Sequence, residues 1–67
     1  MRIEIEQEAD GRWLAEAPEI PGCLAYGATP TEARRRCIEL VFRVLAERVA
    51  NSEALPPSVD RMFPAAA

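Results

Sequence analysis

The chain contains no histidine and no lysine, and it has only two cysteines in 67 residues. The missing histidine removes the commonest general base and the commonest metal ligand. Cys23 and Cys37 do not form a Cys-x-x-Cys pair, which leaves no zinc or thioredoxin-type motif. Neither thiol has a histidine base or an evident reason for a lowered pKa, so nucleophilic catalysis is not indicated. Both cysteines read as small buried hydrophobes. Tryptophan and tyrosine occur once each. Few basic residues lie near Trp13 or Tyr26 in sequence, and both read as packing residues rather than base-stacking ones. No run approaches the roughly 18 apolar residues that span a bilayer. Residues 1–20 alternate in charge and do not resemble a signal peptide, so the expected location is cytoplasmic, with thiols reduced.

The formal net charge is −3 and the sequence pI is about 4.8. Such a chain lacks the basic footprint that nucleic-acid binding requires, but it suits a basic protein partner. Every basic residue is arginine, a bias that together with abundant alanine reflects genome composition rather than mechanism. At this length there is one domain, residues 1–67, and folding is marginal because only about 60% of the unfolded surface can be buried. With no metal or cofactor implied, association is the remaining route to extra stability. A homo-oligomer is expected.

The segment Arg2 to Glu8 alternates with period 2. Ile3 and Ile5 share one face, while Glu4, Glu6 and Glu8 share the other, as in a half-buried strand. Asp10-Gly11 predicts a two-residue hairpin turn. Arg12 to Ala17 is the return strand, with Trp13, Ala15 and Ala17 on one face and Leu14 and Glu16 on the other. Pro18-Glu19-Ile20-Pro21-Gly22-Cys23 then forms a stiff corner. Each proline fixes φ and removes a donor, Gly22 opens conformations closed to other residues, and Ile20 is expected to point inward. Cys23 to Gly27 reads as a third strand, whose small residues would let a helix approach closely.

Thr29-Pro30-Thr31-Glu32 is a capping box with proline at the first helical position. The helix it opens is expected to run to about Asn51, before Pro56-Pro57. At 100° per residue, Ala33, Cys37, Leu40, Val41 and Val44 form one apolar stripe, which belongs on the sheet. Ile38, Phe42, Leu45 and Val49 form a second stripe beside it, widening the apolar arc to roughly 200°, whereas one sheet needs little more than 100°. The second stripe calls for a further cover: a second copy, another partner, or the C-terminal tail. Ser58 to Phe63 is a candidate fourth strand, with Val59 and either Met62 or Phe63 buried. Pro64 and the alanines after it look like a frayed end.

Glu4, Glu6, Glu8 and Glu16 line one strand face. They suit plain solvation or an acidic contact surface for a basic partner. Convergent carboxylates on strands are also what a metal-dependent nuclease would need. Arg34, Arg35 and Arg36 fan out over about 200° of helix rather than forming one basic patch. Arg34, at the edge of the apolar arc, is a candidate rim contact.

The order Asp-Gly hairpin, Trp13-x-Ala15, Pro18-Glu19-Ile20-Pro21-Gly22-Cys23, Gly27-x-Thr29 and Glu32-Ala33 resembles the HicB-like family, the antitoxin side of HicA–HicB toxin–antitoxin systems. The similarity spans residues 1–57. It implies an α+β fold, a β-β-β-α(-β) unit likened to a partial RNase H fold without its nuclease chemistry. It also implies a non-catalytic role, in which the domain docks on a small basic mRNA-cleaving toxin and occludes it. Many members add a C-terminal DNA-binding element, and nothing after Phe63 matches one. On this reading the contact residues are Ile38, Phe42, Leu45, Val49, Glu4, Glu6, Glu8, Glu16 and Arg34. The alternatives are a solitary oligomer of the same type with no toxin partner, and a degenerate RNase H-like nuclease.

Overall fold

A computed structural model describes residues 1–66. Three strands, β1 (Glu4–Gln7), β2 (Trp13–Glu16) and β3 (Leu24–Gly27), precede a long helix α1 (Pro30–Ala50) and a short helix α2 (Pro57–Asp60). The strands form an antiparallel sheet in the order β1-β2-β3. α1 covers one face of that sheet, as the α+β reading expects.

The hairpin loop is one residue longer than the sequence suggests. Gln7 pairs with Trp13, the Glu8 amide donates to the Arg12 carbonyl at 2.7 Å, and the Gly11 amide donates to the Glu8 carbonyl at 3.0 Å. Ala9-Asp10-Gly11 is therefore a three-residue loop. A two-residue type I′ turn needs positive φ at both central residues, but here only Gly11 has it, at 91°. Asp10 instead accepts the Arg12 amide at 3.0 Å and its guanidinium at 2.7 Å. These bonds, the amide first, lower the Asp10 pKa from its usual value.

The proline-rich corner is two chained turns. The Ile20 amide donates to the Ala17 carbonyl, and the Cys23 amide donates to the Ile20 carbonyl, both at 3.0 Å. Each turn has proline in its second position, where the fixed φ fits. Gly22, at φ 82°, supplies the positive φ that a type II turn requires after Pro21. Ile20 belongs to both turns and is buried to 1% exposure. The Cys23 carbonyl receives the Ala17 amide at 3.0 Å and the Cys37 thiol at 3.7 Å. This ties the corner to α1.

The inner face of the sheet is built from small residues. Ala15, Ala17, Cys23, Ala33, Cys37, Ile20 and Val41 form the buried core, with Ile3, Trp13, Ala25, Leu40, Val44 and Leu45 packed around it. Gly27 marks the closest approach of the two layers. A methyl group there would lie 2.5 Å from the Ala33 nitrogen and 2.9 Å from its Cα. The helix start is as expected on one side only: the Thr29 hydroxyl accepts the Glu32 amide at 3.1 Å. Glu32 does not reach back to Thr29. Its carboxylate pairs with Arg36 at 2.7 Å, a helical i,i+4 pair.

α1 ends in a Schellman motif. The Glu53 amide bonds the Arg48 carbonyl at 2.8 Å and the Ser52 amide bonds the Val49 carbonyl at 3.1 Å. Ser52 takes the left-handed position at φ 57°, where glycine is usual because a β-carbon is penalised. Ser52→Gly is expected to stabilise the fold by about 0.5–1 kcal/mol, read as a higher urea midpoint at unchanged slope.

The expected fourth strand is not formed. Pro57 to Asp60 is helical. The Val59 and Asp60 amides both donate to the Pro56 carbonyl at 2.9 Å, so these donors are used locally and are not offered to a sheet edge. Val59 is half-buried, whereas Met62 and Phe63 are 68% and 71% exposed rather than buried. Ser58 fastens the tail to the corner through a 3.2 Å bond to Glu19.

Candidate protein interaction surfaces

Strand alternation gives the outer face of the sheet a composition opposite to that of the inner one. The register sets Glu4 across from Glu16 and Glu6 across from Leu14. Leu14 in turn faces Tyr26, and Glu16 faces Leu24. The larger apolar residues of β2 and β3 other than Trp13, namely Leu14, Leu24 and Tyr26, thus lie away from the helix. Glu4, Glu6 and Glu16 border them, with Ile5 and Leu14, around a shallow hollow of about 220 Å³. Glu8 continues the acidic row opposite Arg12 at the hairpin end. The Arg12 guanidinium sits 4.3 Å from the Tyr26 ring centroid, a cation–π arrangement.

Glu4 and Glu16 are like charges directly across a strand pair, which is unfavourable. Arg2 pairs with Glu4 at 2.8 Å, and Glu16 has no ion pair among the described residues. From sequence alone Tyr26 reads as a packing residue. The structure places it on this open face, 36% exposed, beside Leu24 at 38%. The pattern that reveals this is the alternation of small Cys23 and Ala25 with larger Leu24 and Tyr26.

A second surface lies along α1. Phe42, Leu45 and Val49 form one wall of an apolar groove, and Leu55, Val59, Met62 and Phe63 of the tail form the other. No α-carbon of α2 comes within 8 Å of one in α1. Leu45 is half-buried at the base, while Phe42 and Val49 are 69% and 61% exposed. Ile38, one turn before Phe42, is half-buried and outside the groove. Arg34 is exposed and, eleven positions before Leu45, lies about 16 Å from it along the helix axis. It therefore does not border the groove. Of its neighbours, Arg36 has a structural task, donating to the Tyr26 carbonyl at 3.1 Å.

Both cysteines are buried and free. Burial raises both thiol pKa values above the ordinary 9.0, and for Cys37 the neighbouring Cys23 adds to the effect. This is the opposite of what activates a nucleophile. Among the described residues, no three histidine, cysteine or acidic side chains are grouped so as to hold a metal ion. No helix among them is long and apolar enough to cross a membrane. Comparison with family models, with curated proteins and with solved structures returns no match.

Proposed function

We propose that this chain is a non-catalytic binding module of the HicB-like antitoxin type, which occludes a small, basic, RNA-cleaving toxin with the outer face of its sheet. The observation that carries this reading is the arrangement of that face. Leu14, Leu24 and Tyr26 form an apolar cluster on β2 and the edge strand β3, and Glu4, Glu6 and Glu8 of β1, with Glu16, flank it with acid on one side. An apolar cluster beside a charged flank suits a protein interface. The Glu4–Glu16 juxtaposition adds a second argument. It costs the isolated module stability, and a basic partner would relieve it. The sequence resemblance over residues 1–57 supplies the identity of that partner class. The module also associates with itself, since so small a core gains from a partner chain.

The test is co-expression with the product of any adjacent toxin-like gene, read by growth rescue and by co-purification. Intact chain is expected to rescue growth and to bind. Glu16→Gln is expected to leave stability equal or higher by about 0.2–1 kcal/mol. The same change should slow association about tenfold at low salt, because rim charge acts mainly on encounter. Absence of both binding and rescue by the intact chain removes the toxin-blocking role.

A further inference from the structure

The helix flank and the tail meet without closing. The side chains lining the groove between them are all apolar, and the one charge beside it, the Met1 ammonium, already faces Glu19 at 4.0 Å. Its most exposed members, Phe42, Val49, Met62 and Phe63, are each more than 60% exposed.

The overall dimensions agree. The chain exposes 4943 Å², whereas a compact monomer of 7.4 kDa exposes about 4,200 Å². The excess of about 700 Å² is close to the ~800 Å² that each partner contributes to a standard interface. The radius of gyration is 13.8 Å and the long axis 51 Å, against a radius of about 11 Å for a compact chain of this length.

The spacing of the exposed ridge indicates what fills the gap. Phe42, Leu45 and Val49 of the helix wall fall at intervals of three and four, the alternation of a helix–helix seam. Ala46, small and exposed, lies beside that seam. A ridge of this kind running next to an apolar cleft is self-complementary. A two-fold axis then lets each copy's ridge meet the other's cleft at the same time.

We propose that a second copy of this chain occupies the groove. The two α1 helices pack through Phe42, Leu45 and Val49, and Met62 and Phe63 of each tail close against the other helix. This rests on the reading that the module self-associates. It assigns that task to α1 and the tail, and it leaves both acidic sheet faces pointing outward, free for a basic partner.

Sedimentation equilibrium of the full chain and three variants tests this. Wild type is expected at twice the 7.4 kDa chain mass in the micromolar range. Phe42→Glu is expected to weaken the dimer about 30-fold or more, the loss typical of a central anchor. Phe63→Ser, at a site too exposed to support the fold, should also weaken it, while Leu14→Glu on the outer sheet face should leave it unchanged. Circular dichroism checks that each variant keeps its helix. A wild type that stays at 7.4 kDa up to about 100 μM would show the groove closed by its own tail or left open, and would overturn both self-association and this surface. A dimer that survives Phe42→Glu and Phe63→Ser but is lost in Leu14→Glu would overturn the groove assignment while leaving self-association standing.

Discussion

Gly27→Ala is expected to destabilise the protein by about 1–3 kcal/mol or more, lowering the melting temperature by on the order of 10–20 °C. The direction follows from a competition between two terms. Gly27 is not in the left-handed region, so alanine would fit the backbone there. The entropy removed from the unfolded chain would by itself favour alanine by about 0.4–1 kcal/mol. Against this, the new methyl would sit 2.5 Å from the Ala33 nitrogen, 2.9 Å from its Cα and 3.0 Å from the Glu32 carbonyl carbon. These are backbone atoms of the first helical turn, held by the Thr29 cap, and they cannot swing aside like a side-chain tip. The helix must lift off β3, and the contacts of Ala33 and Cys37 loosen with it. Ala33→Leu should act on the same contact from the helix side at similar cost. A thermal melt in which Gly27→Ala matches or exceeds wild type would show that α1 stands too far from β3 for a methyl at Gly27 to meet the Ala33 nitrogen at 2.5 Å.

The second large effect belongs to Ile20. Ile20→Ala is expected to cost about 2–5 kcal/mol, against a total stability for a chain of this length of roughly 3–10 kcal/mol. The upper part of that range applies because the site cannot collapse. Ile20 is 1% exposed and lies between two proline-containing turns whose amides are already committed to the Ala17 and Ile20 carbonyls. The surrounding core residues are mostly alanine and cysteine, too short to reach into the void. Urea denaturation at 25 °C is the measurement. A loss below about 1 kcal/mol would mean the corner is not anchored through this side chain.

Much of this architecture was legible because its signals are local and redundant. Alternation in β1 to β3, the capping sequence at Thr29 and the proline pair at residues 56 and 57 each specify an element without reference to the rest of the chain. Ile20 was legible as an anchor because a stiff corner with one large apolar residue has only one way to bury it. The misreadings arose where a pattern admitted two solutions. Asp-Gly suits a two-residue turn, but it also suits the three-residue loop in which Asp10 binds the Arg12 amide and only Gly11 needs positive φ. Ser58 to Phe63 carries enough apolar residues for a strand, yet the Pro56 carbonyl collects the local amides first. Among the candidate contact residues, the carboxylates and the run Phe42, Leu45 and Val49 fall on two separate surfaces, while Ile38 and Arg34 lie outside the groove. Tyr26 and Leu24 were missed because their exposure depends on which strand face the helix covers. That is a tertiary fact, signalled only by the small size of their neighbours.

The small inner face carries one further implication. β2 and β3 interleave two kinds of information residue by residue. The positions facing α1 are mostly held near the smallest side chains available, so substitution there has almost no room to enlarge them. The positions between them, Leu14, Glu16, Leu24 and Tyr26, turn their side chains to the outer face, away from α1. Replacing side chains at these alternate sites would therefore remodel the outer face while leaving the fold itself almost untouched.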